Sequence, residues 1–217
     1  MGGAFWTVLG LILFLLWLGM LYLWFLIRHS SKSKLTDSSG FIRLLTVLGS
    51  GGHTTEMLDL VAKLDKDDDY EERTYVIANT DTHSEQKALE CESRRSGGRF
   101  SIERIPRSRE VGQSYFTAVF STAAAIVSSF GIVWKARPSI VLVNGPGTCI
   151  PVCFSAALLD MFRLNNTRII YVESLCRVEK LSLSAAILYY SGVADDVIVQ
   201  WPQLKDTYPR AITIDEL

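Results

Sequence analysis

The sequence predicts an α/β fold, a single Rossmann-like, doubly wound parallel sheet with helices on both faces. Two observations along the 217-residue chain support this prediction. Short β-branched runs recur without polar alternation, which is typical of strands that are buried on both faces. Between these runs lie segments with the apolar spacing of amphipathic helices. The roughly 177 residues that follow the first forty suffice for one such domain but are too few for two.

A third observation sets the first forty residues apart. Residues 4–27 carry no charge, and at ~1.5 Å per residue they would form a helix of about 36 Å, longer than the ~30 Å hydrocarbon layer. The basic region and cleavage site of a signal peptide are absent from this stretch. Because basic residues follow directly, the positive-inside rule predicts a lumenal N-terminus (1–3), a single transmembrane helix (4–27), a linker (28–40) and a cytosolic domain (41–217).

The periodicity of the remaining chain predicts alternating strands and helices. The predicted strands are 41–48, 74–78, 99–105, 139–144, 168–172 and 196–199, and the predicted helices are 54–64, 83–93, 113–134, 150–162 and 182–191. The segment 111–134 is also free of charge, which leaves a second membrane span open. Its glutamine and hydroxyl residues favour a crossover helix that packs on the sheet and touches the bilayer surface. A span would also carry the last three strands to the other side of the membrane.

Composition excludes several classes of partner. The net charge of −1 gives no basic field for nucleic acid. The aspartates at 67–69 formally match a metal-binding D-x-D, but a solvated acidic loop explains them better. Neither a zinc site nor a redox motif is indicated, because no C-x-x-C pair occurs among Cys91, Cys149, Cys153 and Cys176. The sequence therefore predicts neither a metal nor a cofactor.

A glycine-rich turn lies between the first strand and the first helix of the domain. Its residues are Gly49, Ser50, Gly51, Gly52, His53 and Thr54. Such a turn lets the backbone approach a ligand, and the helix N-terminus offers N–H groups to a phosphate. Thr54 stands where a dinucleotide fingerprint has its third glycine, and the lysine of an ATP or GTP loop is absent. The turn therefore predicts an anion site, with a ligand-free βα turn as the alternative.

His53, at the rim of this turn, admits three roles. It can act as a general base because imidazole titrates near neutral pH, it can donate a hydrogen bond to a phosphate, or it can cap the helix. Glu56 lies three residues on and fits a capping box. Glu173 follows the fifth predicted strand at the same sheet edge and is a second candidate base, with a helix cap or an ion pair as the alternative.

A second glycine turn follows the fourth predicted strand and is expected at the same sheet edge as the first. Its residues are Asn144, Gly145, Pro146, Gly147 and Thr148. Two such turns side by side indicate an anion site more strongly than either alone, although a rigid turn before a helix also explains this one. Among the arginines near the third strand, Arg107 and Arg109 are candidates to hold a diphosphate or a lipid headgroup, or to pair with nearby glutamates.

Four motifs in this order resemble those of a known family. They are VLGSGGHTTE at 47–56, IPRSREV at 105–111, NGPGTC at 144–149 and YVES at 171–174. With the N-terminal anchor and Val199–Pro202, they resemble the membrane-anchored subunit of the UDP-N-acetylglucosamine transferase of dolichol-linked oligosaccharide synthesis. The bacterial glycosyltransferase of peptidoglycan-precursor synthesis looks like a more distant relative. Its Gly-Gly-His matches Gly51–His53, and its His-Glu-Gln-Asn segment matches the stretch from Tyr171 to Ser174 only in the glutamate, Glu173.

The resemblance implies half of an inverting GT-B transferase, a fold in which two Rossmann-like domains face each other. This chain would be the N-terminal, acceptor-side half, inactive alone, and a soluble catalytic subunit would bind UDP-N-acetylglucosamine in a heterodimer or a larger complex. Together they would add the second N-acetylglucosamine to N-acetylglucosaminyl-diphosphodolichol on the cytosolic face of the endoplasmic reticulum. The last residues, 210–217, carry the partner contact in the family.

Roles for individual residues follow from that resemblance. The two glycine turns, with Arg107 or Arg109, would hold the acceptor diphosphate. His53, which is preferred, or Glu173 would take the proton of the acceptor 4-hydroxyl. Two rival functions stay open: a membrane scaffold that only recruits the catalytic partner, and a membrane-tethered nucleotide-dependent oxidoreductase. The missing third glycine speaks against the second rival.

Overall fold

A computed structural model gives the fold of the chain. It describes residues 2–30, 42–64, 70, 72–95, 97–107, 115–145 and 147–214. The chain divides into two compact units, Met1–Ser33 and Lys34–Leu217. Residues 31–40 of the predicted linker, the acidic loop at 65–69, Arg109 and Pro146 lie outside the described residues. The first three linker residues, 28–30, belong to the N-terminal helix.

The first unit contains helix α1 (Gly2–Ser30), so the predicted segment 4–27 is helical throughout. Its apolar side chains are exposed over 10–23, and Leu11, Leu16 and Trp17 are each more than half exposed. Across the part of the chain that the structure describes, no helix has both the length and the apolar character that crossing a membrane requires.

The second unit alternates strands and helices. Its strands are β1 (Arg43–Val47), β2 (Glu72–Ala78), β3 (Arg99–Ile105), β4 (Ile140–Val143), β5 (Arg168–Val172), β6 (Asp196–Val199) and β7 (Ile212–Thr213). Its helices are α2 (Gly52–Leu64), α3 (Thr82–Ser93), α4 (Tyr115–Ala136), α5 (Cys149–Met161), α6 (Leu183–Ser191) and α7 (Pro202–Thr207). The predicted elements are confirmed to within a few residues. The sequence reading missed α7 and β7, which are too short to show a period.

Within the described residues, seven parallel strands form one sheet in the order β3-β2-β1-β4-β5-β6-β7. The chain moves outward from β1 to β3 and then returns through α4 to place β4 beside β1. That reversal is a topological switch point, where open α/β sheets bind their ligands. Val47 pairs with Val143, so the glycine turns that follow β1 and β4 begin at the same level of the sheet edge. The prediction of a doubly wound parallel sheet is confirmed.

Helix α4 carries the chain from one half of the sheet to the other and packs on α5. Ala125, Ser129 and Val133 are fully buried at a spacing of one helical turn, and Ser155 of α5 donates a hydrogen bond to the carbonyl of Ile126 at 3.2 Å. Because β4 to β6 join the same sheet as β1 to β3, α4 is a crossover helix as predicted. The alternative of a second membrane span is wrong for this segment.

The core lies on both faces of the sheet because the strands are apolar on both faces. Leu44, Leu45 and Val47 of β1 are almost completely buried. Helix α2 buries Met57, Leu58 and Val61 at helical spacing, and these side chains form one buried cluster with Leu44. Each side chain of this size contributes about 1.5–3 kcal/mol when it is fully buried. This packing fixes the ends of β1 and α2, and therefore the glycine turn between them.

A buried ionic network joins β2 to α3. The Nε and Nη2 atoms of Arg73 donate to the two carboxylate oxygens of Glu92 at 2.9 and 2.8 Å, and the Tyr75 hydroxyl donates to the same carboxylate at 2.5 Å. Burial raises the pKa of Glu92, but the hydrogen bonds from Arg73 and Tyr75 outweigh burial, so the pKa lies below its usual value. Arg73 lies near the amino end of β2, at the sheet edge opposite the glycine turns. The network therefore stabilises the fold and does not belong to the carboxyl edge of the sheet.

Candidate functional site

Buried hydroxyl groups stabilise the turn after β1 through hydrogen bonds. The Thr54 hydroxyl donates to the carbonyl of Gly49 and lies 2.6 Å from the Ser84 hydroxyl, which bonds Asp81 at 2.7 Å. Gly51 has φ +75°, a conformation that glycine adopts readily. The side chain of Thr54 therefore shapes the turn, and the first turn of α2 leaves backbone N–H groups without partners inside the helix.

The turn after β4 meets the first turn directly. The Asn144 side-chain nitrogen donates to the His53 carbonyl at 3.1 Å. The backbone N–H of Gly145 donates to the Tyr171 hydroxyl at 3.0 Å, and that hydroxyl lies 2.8 Å from the Ser182 hydroxyl. The two glycine turns and the segment after β5 are thus tied together at the carboxyl edge of the sheet, as predicted from their positions after strands.

The imidazole of His53 lies close to Gly145. A Cβ atom at Gly145 would lie 2.5 to 2.8 Å from three ring atoms, and Gly145 itself has φ +63°. Both the positive φ and the close approach require glycine at this position. The His53 side chain is 38% exposed, but its Nδ1 atom is buried and makes no hydrogen bond within the described residues.

Glu56 connects His53 to the segment after β5. One carboxylate oxygen accepts a hydrogen bond from the Ser174 hydroxyl at 3.1 Å, and the other lies 3.8 Å from Nδ1 of His53. Helix α2 begins at Gly52, so His53 lies inside the helix. The capping-box pairing that the sequence allowed for Glu56 does not form.

Glu173 is 1% exposed, and both of its carboxylate oxygens are engaged. They accept the backbone N–H of Ser174 at 3.0 Å and of Ser182 at 2.7 Å. The carboxylate therefore fixes both ends of the segment 174–182. Burial raises the pKa of Tyr171, and the nearby charge of Glu173 raises it further, so the Tyr171 phenol is neutral at physiological pH.

A cavity of about 340 Å³ opens at this edge of the sheet. Residues from three strand ends line it: Gly52, His53, Glu56, Gly145, Glu173, Ser174, Cys176, Arg177 and Ser182. The cavity therefore combines backbone from the two glycine turns with an imidazole, two carboxylates and a guanidinium. That set can bind an anionic ligand and can move a proton.

The other predicted site residues lie around this cavity or away from it. Ser50, Gly51 and Gly147 are exposed on the two turns, Gly49 and Asn144 are buried beneath them, and Thr148 precedes α5. Arg107 follows β3, which is separated from β1 by β2. At about 4.8 Å per strand, that places it roughly 10 Å from β1 along the sheet. Arg107 does not line the cavity, and its buried Nε atom makes no hydrogen bond within the described residues.

The sequence reading left five lining residues out of the predicted site, and one of them is Glu56, for which it offered only a capping box. The other four, Ser174, Cys176, Arg177 and Ser182, all belong to the segment that follows β5. A usable signal existed, because the carboxyl end of a strand beside the switch point is expected to face the ligand. What sequence alone did not supply was the strand order, which brings β5 next to β4.

An open parallel sheet with two glycine turns at its switch point defines a Rossmann-type ligand-binding domain. A model of the family described as "Oligosaccharide biosynthesis protein Alg14 like" matches residues 44–217. The chain belongs to this family.

Curated relatives agree with the family match. The chain is 46% identical over 184 residues to the UDP-N-acetylglucosamine transferase subunit ALG14 of Mus musculus, covering 81% of this chain and 83% of the relative. It is 41% identical to the subunit of the same name from Homo sapiens over 205 residues, 91% of each chain. The Yarrowia lipolytica subunit is 43% identical, with 78% of each chain covered.

Two solved structures share the fold. MurG of Acinetobacter baumannii superposes with a TM-score of 0.53 at 19% identity, covering 74% of this chain and 42% of that protein. A putative UDP-N-acetylglucosamine 2-epimerase from Listeria monocytogenes gives a TM-score of 0.51 at 18% identity, with 78% and 41% covered. The chain thus spans about two fifths of each of these proteins. At such low identity the likeness concerns the fold alone.

Proposed function

We propose that this chain is the acceptor-side subunit of a UDP-N-acetylglucosamine transferase. A separate soluble subunit binds the sugar nucleotide, and the pair adds the second N-acetylglucosamine to N-acetylglucosaminyl-diphosphodolichol. The observation that best supports this is the junction of the two glycine turns at the switch point, with His53 between them. The relatives are named as subunits of a UDP-N-acetylglucosamine transferase. The solved MurG structure is more than twice as long as the part of it that matches this chain, because the match covers 42% of that protein.

The cavity suits an anionic acceptor. The N-terminus of α2 offers backbone N–H groups and a positive dipole to a phosphate. Arg177 lines the cavity with Gly52 and Gly145, and a guanidinium binds phosphate oxygens in a bidentate manner. We assign the acceptor diphosphate to these groups, so that Arg177 takes the role that the sequence gave to Arg107 or Arg109.

The proposed reaction needs one general base, which we place on this chain. The acceptor 4-hydroxyl forms a bond to the anomeric carbon, the bond from that carbon to the donor diphosphate breaks, and UDP leaves with the electron pair. The hydroxyl proton passes to a nitrogen of His53. His53 suits this role better than Glu173, because its side chain is 38% exposed whereas both oxygens of Glu173 accept backbone hydrogen bonds.

The N-terminal segment supplies the membrane anchor in this proposal. Residues 4–27 lie within α1 and carry no charge, and a basic segment follows them. The chain is then a single-pass protein of the endoplasmic reticulum membrane with its bulk in the cytosol, near an acceptor whose lipid stays in the bilayer. Protease treatment of sealed microsomes tests this orientation: residues 42–217 should be degraded without detergent.

Reconstitution of the full chain with its soluble partner tests the proposed activity. Transfer from UDP-N-acetylglucosamine to the lipid-linked acceptor should require both chains. His53→Ala should lower kcat about 10²- to 10⁴-fold, the usual contribution of a general base, while the partner still copurifies. Full activity of both His53→Ala and Glu173→Ala would contradict a catalytic role and would favour the membrane scaffold.

A further inference from the structure

Glu56 has a geometry that neither a helix cap nor a surface charge explains. It lies one turn along α2 from His53, and its side chain reaches across the sheet edge to Ser174, which is 118 residues away in the sequence. The Ser174 hydroxyl pins one carboxylate oxygen at 3.1 Å. The second oxygen is thereby left facing Nδ1 of His53, 3.8 Å away.

Gly145 also confines the imidazole of His53. Gly145 contacts the ring so closely that an added Cβ would come within 2.5 Å of Cε1 and 2.6 Å of Nδ1. Nδ1 itself is buried and has no hydrogen-bond partner within the described residues. A buried polar nitrogen without a partner costs free energy, and the free oxygen of Glu56 is a suitable acceptor.

We propose that Glu56, held by Ser174, is a positioning residue that orients His53 for proton transfer. In the substrate-bound enzyme the Nδ1–H group would donate to Glu56, which would leave the lone pair of the neutral ring on Nε2, the nitrogen that receives the proton of the acceptor hydroxyl. The arrangement follows the logic of base–carboxylate pairs in hydrolases, in which the carboxylate selects the tautomer and stabilises the imidazolium that forms. Catalytic hydrogen bonds are often long before substrate binds, which accounts for the 3.8 Å separation. This inference rests on the proposed function of His53.

Other charged groups share the cavity, and they act on His53 in different ways. Arg177, Glu173 and the thiol of Cys176 belong to the segment after β5, and the Tyr171 phenol lies behind Gly145. Both oxygens of Glu173 are engaged by backbone N–H groups. Arg177 disfavours a positive charge on the ring. Glu56 is therefore the lining carboxylate with an oxygen free to accept a hydrogen bond from the imidazolium.

The test is steady-state kinetics of the reconstituted two-chain enzyme with Glu56→Gln, Ser174→Ala, His53→Ala and the double variant His53→Ala/Glu56→Gln. Glutamine can still accept the Ser174 hydrogen bond but carries no charge. Glu56→Gln should lower kcat about 10- to 100-fold, with KM for both substrates unchanged. This loss is a part of the roughly 10²- to 10⁴-fold that a general base contributes to the rate. Ser174→Ala should lower kcat less, because it frees the carboxylate without removing it.

The pH profile separates positioning from a loss of structure. Removing the carboxylate makes the imidazolium less stable, so the acid limb of the kcat profile should move to lower pH in Glu56→Gln. The double variant should be no slower than His53→Ala, since Glu56 acts through the ring. Asp59→Asn, exposed on the same helix, is the matched control and should behave as the wild type, and urea unfolding of each variant verifies the fold.

Three results would overturn the inference. Wild-type kcat and pH profile in Glu56→Gln, with His53→Ala inactive, would refute the role of Glu56 and leave the proposed function standing. A rise in KM with kcat unchanged would show that Glu56 binds substrate instead of positioning the base. Full activity of His53→Ala would refute the assigned base and, with it, the role of Glu56.

Discussion

Gly145→Ala tests the contact between the second glycine turn and the imidazole of His53. The substitution imposes two separate costs. An alanine at φ +63° is strained by about 1–2 kcal/mol. The new Cβ would lie 2.5 Å from Cε1 of His53, and an ordinary contact begins at 3.4 Å, so the ring must move by about 0.9 Å, a displacement that can cost about 10²-fold in rate.

The expected result is a stability loss of about 1–2 kcal/mol, which for a domain of this size lowers Tm by roughly 2–8 °C, together with a fall in kcat of about 10²-fold. Thermal unfolding and transfer assays of the reconstituted enzyme measure the two effects. Gly192→Ala is the matched control for backbone strain, because Gly192 has φ +67° at the end of α6. It should lose similar stability and retain kcat. If Gly145→Ala keeps the wild-type kcat, the position of the His53 imidazole against Gly145 does not matter for catalysis and the reasoning is refuted.

Three further predictions concern the cavity and the core. Arg177→Ala should raise KM for the lipid-linked acceptor about 10- to 100-fold, which corresponds to the loss of a charged hydrogen bond. If KM for the acceptor rises only in Arg107→Ala, the phosphate is bound by Arg107 instead. Arg73→Ala should cost about 3–5 kcal/mol in urea unfolding because it removes the guanidinium that bonds both oxygens of the buried Glu92 carboxylate, and a loss below about 1 kcal/mol would contradict this. Because the folded-state pKa of Glu92 is lowered, its contribution is complete above its unfolded-state pKa of about 4.3 and is lost as the pH falls through the folded-state pKa. The difference in free energy of unfolding between wild type and Glu92→Gln should therefore become smaller below about pH 4. A difference that does not change with pH would show that ionised Glu92 does not stabilise the fold.

The sequence predicted the strands and helices of the domain because their signals are local. The run at Leu44–Val47 is apolar on both faces, and Met57, Leu58 and Val61 repeat at the helical period. The glycine turns were equally visible, since Gly51 and Gly145 stand between a strand and a helix and need φ values that glycine adopts readily. The position of both turns at one edge of the sheet also followed from sequence, because parallel strands end at one edge.

The site was predicted less completely because its contacts depend on strand order. Arg107 and Arg177 both follow strands, and the sequence reading assigned the diphosphate to Arg107 or Arg109. The order β3-β2-β1-β4-β5 puts Arg107 two strands away from β1 and puts Arg177 beside the turn after β4. Glu173 was recognised as a carboxylate at a strand end, but its two backbone hydrogen bonds depend on how the segment 174–182 folds back.

The amino-acid sequence by itself therefore determined the α/β class, the uncharged N-terminal stretch, the two backbone turns and the histidine at their rim. Each of these is encoded within a few consecutive residues. Only the tertiary structure decided that Glu56 turns toward Ser174 and His53, and that Gly145 confines the imidazole. The contacts of Glu56 with Ser174 and of Gly145 with His53 join residues about a hundred positions apart. They depend on which strands become neighbours in the sheet, and no local pattern in the chain specifies that order.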